Sequence, residues 1–307
     1  MNPPSDLHSP KHVAQALGVS ESSLKRWCDR GLLPTTRTGG GHRKVLTADV
    51  IRFAREQGMT LVTPELLGLP PTGSVEGLDL QKSASLLAQS LLAGQELVCR
   101  QLVMNLALGD HPLARVFDDV ITAAFVEIGN RWACQQADIY QERRGCEMIL
   151  RILAEISKTQ SPVQSKLTAC GGTATGDGYS LATLMAEIVL RDTEYQATSL
   201  GTGIPFDSLV RAVQEIRPTL FWLSVASVPD EAAFLRNFAN LSSACAEVQS
   251  ALVIGGRALA PRLREQLVDA TYCENMQQLA AFARTLARVH RRSLASRASS
   301  AKRNMKS

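Results

Sequence analysis

The sequence predicts a multidomain chain of 307 residues with three folded parts. A small α-helical domain with a hairpin comes first, then a four-helix bundle, and then an α/β domain with a doubly wound parallel sheet of about five strands. Three observations predict this order. Short capped helices surround a glycine-rich turn near the N-terminus. Apolar residues keep helical spacing from residue 80 to about residue 157. Beyond residue 166, short apolar strands alternate with helices.

Two short helices open the chain. Ser9 and Ser20 are each placed to cap a helix, and Pro10 suits the first helical position. In the second helix, Leu24 and Trp27 recur at helical spacing and predict the inner face. The outer face then carries three cations, which are Lys25, Arg26 and Arg30.

A basic hairpin follows the second helix. The glycines from Gly39 to Gly41 suit the positive φ angles of a tight turn, and basic residues flank them at Arg37 and from His42 to Lys44. Thr47 is placed to cap a third helix. A helix with exposed cations can enter the major groove of DNA while a basic hairpin beside it lies on phosphates. The candidate DNA-binding residues are Ser22, Ser23, Lys25, Arg26, Arg30, Arg37, Thr38, Gly40, His42, Arg43 and Lys44.

One stretch of this domain is specific enough to indicate a family. It reads Trp27-Cys28-Asp29-Arg30-Gly31-Leu32-Leu33-Pro34, then Arg37-Thr38 and Gly40-Gly41-His42-Arg43. Over about residues 9–56 the chain therefore resembles the MerR-type and excisionase-type winged helix-turn-helix. The resemblance implies double-stranded promoter or operator DNA as a partner. Because one such domain contacts a short half-site, we expect a homo-oligomer, either a dimer or a tetramer. The alternative is a three-helix domain without DNA contact.

The predicted domain boundaries follow the composition of the chain. The winged domain takes residues 1–57, and glycines and prolines predict a linker over residues 58–79. Such a linker would let the DNA-binding domain move relative to the rest of the chain. The helical bundle takes residues 80–160, the α/β domain takes residues 161–290, and a basic tail takes residues 291–307.

Charge is distributed unevenly along the chain, whose formal net charge is +4. Residues 1–56 carry nine Lys and Arg against five Asp and Glu, and residues 288–307 carry seven against none. The middle holds 17 basic and 24 acidic residues, a net of −7. Positive charge at both ends suits a polyanionic partner. A solvated, disordered C-terminal end is the alternative for the tail.

Composition also disfavours several classes of protein. The chain has no run of eighteen apolar residues, which a membrane span would need, and its first residues lack the basic start and apolar core of a secretory signal. Seven cysteines are scattered without a C-x-x-C pair. A dispersed, odd set indicates reduced thiols, so we expect a cytoplasmic location.

Small residues follow the predicted strands of the α/β domain. They stand at Gly171-Gly172, Gly201, Ser224 and Gly255-Gly256. Open parallel sheets bind ligands at the carboxyl ends of their strands, and small residues there let a large flat ligand approach the backbone. The alternative is that these glycines only form short strand-to-helix turns.

A helical bundle followed by such a sheet resembles the cobalamin-binding module, and all parts together resemble the light-sensing cobalamin-dependent repressors of the MerR class. In that family a Trp is followed after nine residues by Glu-His, and the sheet carries Asp-x-His. Here the corresponding residues are Trp132 with Glu142-Arg143, and Asp177-Gly178-Tyr179. The ligand-binding residues implied by the resemblance are Trp132, Glu142, Arg143, Asp177, Tyr179, Ser224, Gly255 and Gly256.

Both histidines that would ligate cobalt are replaced, and no histidine lies between residues 112 and 289. A guanidinium such as that of Arg143 has no lone pair to donate, and a phenol such as that of Tyr179 ligates only when ionised. No metal ligand is therefore assigned. Three hypotheses stay open: a dimerisation and regulatory scaffold without cobalamin, cobalamin held without a protein axial ligand, and another flat ligand such as a different tetrapyrrole under Trp132. Trp132 could also be an ordinary core residue.

An enzymatic role is the remaining alternative, because the same module carries cobalamin for methyltransferases and mutases. The predicted domains, the linker and the tail account for the whole chain, so we expect no catalytic domain. Cys170, Asp177 and Tyr179 have no histidine base nearby in the sequence. We therefore predict a non-catalytic transcription regulator, expected to be a repressor, rather than a cobalamin-carrier subunit.

Overall fold

The computed structural model describes residues 6–69, 79–109, 111–160 and 165–304, with side chains described as far as residue 292. The chain divides into two compact units, Met1–Pro162 and Val163–Ser307. Each unit is described by itself below.

The first unit begins with a small domain of three helices and a three-stranded antiparallel sheet. Its elements are β1 (Leu7–His8), α1 (Pro10–Ala16), α2 (Glu21–Asp29), β2 (Thr36–Arg37), β3 (Arg43–Leu46) and α3 (Thr47–Glu56). The sheet has the order β1-β3-β2, so the predicted hairpin β2–β3 gains a third strand from the residues before α1. Strand β1 was not predicted from the sequence, because two residues are too few to show a period.

Two of the three predicted helix caps are confirmed. The Ser9 hydroxyl accepts a hydrogen bond from the His12 amide at 3.3 Å, and Ser20 accepts one from the Ser23 amide at 3.2 Å. The predicted Thr47 cap is wrong, because Thr47 is already the first residue of α3 and its Oγ1 lies 2.8 Å from Nε2 of His8. The Thr47 hydroxyl is hydrogen-bonded to β1 and does not cap α3.

Residues 58–69 differ from the predicted linker. A short 3-10 helix, Pro64–Leu67, follows α3, and the amide of Val62 donates to the carbonyl of Ala16 at 2.8 Å. Leu61 and Leu67 are buried. Glycine and proline stop regular helix here, but the apolar residues between them still pack onto α1. The rest of the predicted linker, residues 70–78, lies outside the described residues.

The middle of the chain is helical, as predicted. Its elements are α4 (Leu80–Ala93), α5 (Glu96–Leu108), α6 (Leu113–Val116), a π-helical stretch (Phe117–Thr122), α7 (Ala123–Ala133) and α8 (Ile139–Lys158). Helix α4 packs against α5, α7 and α8, and α5 packs against α8. Leu87, Leu91, Phe117 and Ile128 are fully buried in this segment. The Arg55 guanidinium of α3 donates to the carbonyl of Ala107 in α5, so the first domain touches this segment directly.

The second unit is an α/β domain with the predicted parallel sheet of five strands. Its elements are β4 (Thr168–Thr173), α9 (Ser180–Asp192), β5 (Gln196–Ser199), α10 (Phe206–Ile216), β6 (Leu220–Ser224), α11 (Glu231–Glu247), β7 (Ala251–Gly255), α12 (Pro261–Arg264), β8 (Thr271–Tyr272) and α13 (Met276–Asn304). The strand order is β5-β4-β6-β7-β8, and all four strand pairs are parallel.

The strand order reverses between β4 and β6. In open parallel sheets such a reversal leaves a crevice at the carboxyl ends of the two strands, because the following loops run to opposite faces. Strand β6 supports this centre with a continuous apolar run from Leu220 to Leu223, each residue at most 2% exposed. Burial on both faces explains why β6 shows no alternation of apolar and polar residues.

The last helix continues further than a disordered tail would. Helix α13 runs from Met276 to Asn304, so its backbone stays helical through most of the predicted basic tail. Within the described residues, none of the helices combines the length and the apolar character that crossing a membrane requires.

Candidate nucleic-acid interface and sheet-edge site

Helix α2 presents a polar first turn and a cationic outer face. The Oγ atoms of Ser20 and Ser22 lie 2.9 Å apart, and the Arg26 guanidinium donates to the Oγ of Ser23 at 3.4 Å. Lys25 and Arg26 are exposed, while Leu24 beside them in the helix is fully buried. The cap therefore fixes the start of the helix, and the buried leucine turns both cations toward solvent.

The hairpin pairs β2 with β3 across the predicted glycine turn. Thr36 pairs with Lys44 and Arg37 with Arg43, while the Thr38 amide donates to the carbonyl of His42 at 3.0 Å. At the tip, Gly41 has a φ of +78°, which strains any residue with a side chain. Residues 38–42 at this tip are all exposed, among them the predicted Thr38, Gly40 and His42.

An ion pair ties the hairpin to α2. The Arg43 guanidinium donates to a carboxylate oxygen of Asp29 at 2.6 Å, and this hydrogen bond raises the pKa of Arg43. Arg37 lies directly opposite Arg43 in the hairpin, and like charges in that position repel. Asp29, at the end of α2, offsets that repulsion. No role was predicted for Asp29 from the sequence, although it is an acid among cations.

The predicted basic residues do not all share one face. Successive residues of a strand point to opposite sides, so Lys44 faces away from its neighbour Arg43. Arg30, just after α2, is exposed. A groove of about 340 Å³ lies beside α2. It is lined by four residues of α2 together with one residue of α1 and one of β3, which are Glu21, Ser22, Lys25, Cys28, Pro10 and Arg43.

The second group of predicted residues gathers at the carboxyl edge of the sheet. Thr173, Ser224 and Gly255 stand side by side in register at the ends of β4, β6 and β7. Asp177 and Tyr179 follow β4 in the adjoining loop. The structure thus brings together the five sheet residues that the resemblance implied.

The carboxylate of Asp177 accepts hydrogen bonds from three backbone amides near the crevice. It is 2% exposed, and its Oδ2 accepts from the amides of Ala226 at 2.5 Å and Ser227 at 3.2 Å. Its Oδ1 accepts from the amide of Tyr179 at 3.0 Å. The carboxylate therefore joins the loop after β4 to the loop after β6.

The ring of Tyr179 is covered by a cation. The guanidinium carbon of Arg257 lies 4.6 Å from the ring centroid, a cation–π distance. Arg257 follows the paired glycines after β7, so this contact spans the edge of the sheet from the β4 loop to the β7 loop. Arg257 was not predicted as a site residue, because nothing in its local pattern relates it to Tyr179.

Three glycines near the carboxyl edge of the sheet, Gly171, Gly255 and Gly256, face atoms of this chain. A Cβ atom on Gly171 would lie 2.1 Å from the carbonyl oxygen of Trp222 and 2.4 Å from its indole ring. A Cβ on Gly256 would lie 2.1 Å from the carbonyl oxygen of Val225, and one on Gly255 would lie 2.5 Å from that of Cys273. These three glycines are therefore required by close packing of the protein on itself.

The Trp222 indole occupies the space beside Gly171. It is 2% exposed, and its Nε1 donates to Oγ1 of Thr183 at 3.0 Å. Among the described residues, no cluster of three His, Cys, Asp or Glu side chains is placed to hold a metal ion. The donor set and the filled glycine positions at this edge do not fit cobalamin ligated by the protein.

The remaining candidates lie in the first unit, on the helical segment. Trp132 is 51% exposed near the end of α7, so it is not a core residue. Glu142 is half-buried in the first turn of α8, and Arg143 beside it is exposed. The guanidinium of Arg144 donates to the carbonyl of Leu92 at 2.6 Å, which fixes the start of α8 against the end of α4.

Comparisons with known proteins found matches to the N-terminal domain and to the fold of much of the chain. Residues 9–58 match the family model of a helix-turn-helix domain. The chain is similar in fold to the monomethylamine corrinoid protein of Methanosarcina barkeri, with a TM-score of 0.58 and 12% identity over 68% of this chain and 100% of that one. Together with the repressor relative described next, the helix-turn-helix match defines the class as a DNA-binding transcription regulator, and the solved structure shows that much of the chain has the fold of a corrinoid protein.

One curated relative matches most of the chain. The HTH-type transcriptional repressor CarH of Myxococcus xanthus is 23% identical over 232 residues, which make up 70% of this chain and 77% of the repressor. A cobalamin-binding protein of Desulfitobacterium hafniense DCB-2 is 17% identical over 69% of this chain and 98% of that one, with a TM-score of 0.35.

Proposed function

We propose that this chain is a repressor that binds promoter or operator DNA as a homo-oligomer, with α2 in the major groove and the hairpin on phosphates. The observation that carries the proposal is the Ser20-capped α2 with Lys25 and Arg26 exposed and the hairpin tied beside it by Arg43 and Asp29. The helix-turn-helix match and the repressor relative support it.

The roles of the cations follow from their positions. Lys25 and Arg26 lie on the outer face of α2, where side chains reach base edges in winged domains of this kind. Arg37, Arg43 and the hairpin tip around His42 lie beside α2, where contacts to phosphates fix the register on the duplex. Sequence preference therefore depends on α2, and salt-dependent affinity depends largely on the hairpin.

The helical segment is the proposed site of self-association. A single α2 covers a short half-site, and two half-sites lie about 34 Å apart along the duplex. Exposed apolar side chains on the segment include Leu97, Val126, Trp132 and Ile139, each more than half exposed. Burying them between copies removes apolar surface from water, which favours association. Sedimentation should show an oligomer, and a full-length monomer with and without DNA would contradict this part.

The α/β domain is proposed to act as a dimerisation and regulatory scaffold that needs no cobalamin. Three features of its edge support this: the Asp177 bonds, the Arg257–Tyr179 contact and the Trp222 indole against Gly171. We assign the domain no catalytic role. Its buried Cys170 has a pKa raised by burial to about 12, far from that of a reactive thiolate.

The DNA-binding proposal is tested by replacing single cations of α2 and of the hairpin with alanine. Lys25→Ala and Arg26→Ala should change the ratio of affinities for promoter and mixed-sequence duplexes, because they remove base contacts worth about 1–3 kcal/mol each. Arg37→Ala should weaken binding to all duplexes alike. Arg236→Ala, an exposed arginine on α11, is the control for charge loss. Unchanged affinity ratios for both α2 variants would refute the role of α2.

A further inference from the structure

Helix α13 has a buried stem, and residues 288–292 beyond the stem are exposed. Leu279, Ala280, Ala283 and Ala287 are buried where the helix packs against α9. The Tyr195 hydroxyl donates to the carbonyl of Ala283 at 3.0 Å. The stem therefore holds the start of the helix on the α/β domain, and the rest of α13 extends from it at about 1.5 Å per residue.

Four arginines form a stripe along this helix. Arg284, Arg288, Arg291 and Arg292 are exposed and stand at positions i, i+4, i+7 and i+8, which share one helix face. We call these four residues the arginine stripe. Arg291 pairs with Glu194, whereas the other three have no carboxylate partner among the described residues. From residue 288 to residue 307 the sequence has seven basic residues and no acid.

Helix stability does not account for the arginine stripe. Like charges at i, i+4 destabilise a helix. Cations do stabilise the C-terminal end of a helix, but that effect is confined to the last turn. Arg284 to Arg292 stand between twenty and twelve residues before the helix end at Asn304. Their concentration on one face therefore indicates an anionic partner.

We propose that the arginine stripe is a second DNA-binding surface, which contacts backbone phosphates outside the half-site bound by α2. The inference rests on the proposed DNA-binding function, which supplies the polyanion. Arginine suits phosphate because its guanidinium can donate two parallel hydrogen bonds. An anionic membrane is the less suitable partner, since residues 288–304 contain only two large apolar residues, Val289 and Leu294, and a membrane-surface helix needs an apolar face.

The test uses a triple variant of the full-length chain. Arg284→Gln, Arg288→Gln and Arg292→Gln together remove three charges, keep good helix formers and leave the Arg291–Glu194 pair in place. The matched control changes three exposed arginines elsewhere in the same unit, which are Arg211, Arg236 and Arg262. Circular dichroism verifies that both variants remain folded.

Fluorescence anisotropy with a 40-base-pair mixed-sequence duplex, between about 50 and 200 mM salt, gives the readout. Each lost phosphate contact lowers the slope of log K against log salt by ~0.9, so the stripe variant should lose about 2.7 and the control under about 1. The ratio of affinities for promoter and mixed duplexes should not change, because α2 is intact. An unchanged slope in the stripe variant would overturn the proposal.

Two further outcomes are separated by the same design. If the unaltered chain binds no duplex at all, the proposed function fails and the stripe proposal fails with it. If it binds DNA and the stripe variant keeps the full slope, only the stripe proposal fails. Cosedimentation with vesicles of 70% phosphatidylcholine and 30% phosphatidylserine adds a membrane arm. Vesicle binding that the stripe variant alone loses, with an unchanged DNA slope, would assign the surface to lipid instead.

Discussion

Replacing Gly171 by alanine tests whether the edge of the sheet is filled by the protein itself. Gly171 lies in β4 directly beside Trp222 of β6. An added Cβ would meet the Trp222 carbonyl oxygen at 2.1 Å and the indole at 2.4 Å, so β4 or β6 must move by about 1.3 Å to restore ordinary contact at 3.4 Å. Both strands are central in the sheet, and neither has free space beside it.

The expected loss of stability depends on which atom the added Cβ contacts. Overpacking a core costs typically about 1–3 kcal/mol, and the upper end applies where the obstacle is backbone rather than a flexible side chain. We expect Gly171→Ala to lower the free energy of opening of β4 and β6 by about 3 kcal/mol. At 1.4 kcal/mol for each factor of ten, amide exchange in these strands should become about 100-fold faster.

Hydrogen exchange followed by mass spectrometry measures this locally. Peptides covering β4 and β6 report on the second unit, and peptides covering α5 and α8 serve as an internal reference. Gly129→Ala is the matched control, because no atom lies within 4 Å of its added Cβ on α7. It should leave exchange in the sheet unchanged. Equal protection of β4 in Gly171→Ala and in the unaltered protein would show that the space beside Gly171 is open, against our reasoning.

Three further predictions concern charge, pH and thiols. Arg43→Ala should flatten the salt dependence of DNA binding by about 0.9, as for one lost phosphate contact, whereas Asp29→Asn keeps that contact, removes the competing carboxylate and should strengthen binding without flattening the slope, as salt titrations would show. Burial lowers the pKa of His8 below 6.5, so its contribution to stability is complete above pH 6.5 and is lost as the pH falls below it. The melting temperature should therefore drop between pH 7.5 and 5.5 by less in His8→Gln than in the unaltered protein. At pH 8, a thiol reagent should modify the exposed Cys134 quickly and Cys170, whose pKa burial raises to about 12, only after unfolding.

The order of elements could be predicted from the sequence because each follows from a local pattern. Ser9 and Ser20 are caps by residue type and position, and strands β6 and β7 are short apolar runs. Local patterns failed where a partner lies far along the chain. The Thr47 hydroxyl is committed to His8, 39 residues away, and no propensity of residues near Thr47 shows that.

In the candidate site, too, features set by local sequence could be predicted and contacts between separate elements could not. The hairpin, its glycines and the exposed cations of α2 follow from residue type and spacing. The Asp29–Arg43 pair and the Arg257–Tyr179 contact join separate elements, so only the folded chain shows them. The edge glycines, Gly171 above all, were open to two interpretations in the sequence. At Gly171, Gly255 and Gly256, an added Cβ would meet atoms of this chain, a requirement of close packing that the sequence alone does not show.

DNA binding by one preparation under three conditions shows whether this regulator needs cobalamin. A labelled promoter duplex is titrated with the protein free of cobalamin, with adenosylcobalamin in the dark, and with adenosylcobalamin after green illumination. We predict the same dissociation constant in all three, since Arg143 and Tyr179 stand where the resembled family has its cobalt-ligating histidines. Binding that requires adenosylcobalamin in the dark and is lost in the light would contradict a scaffold that works without the cofactor.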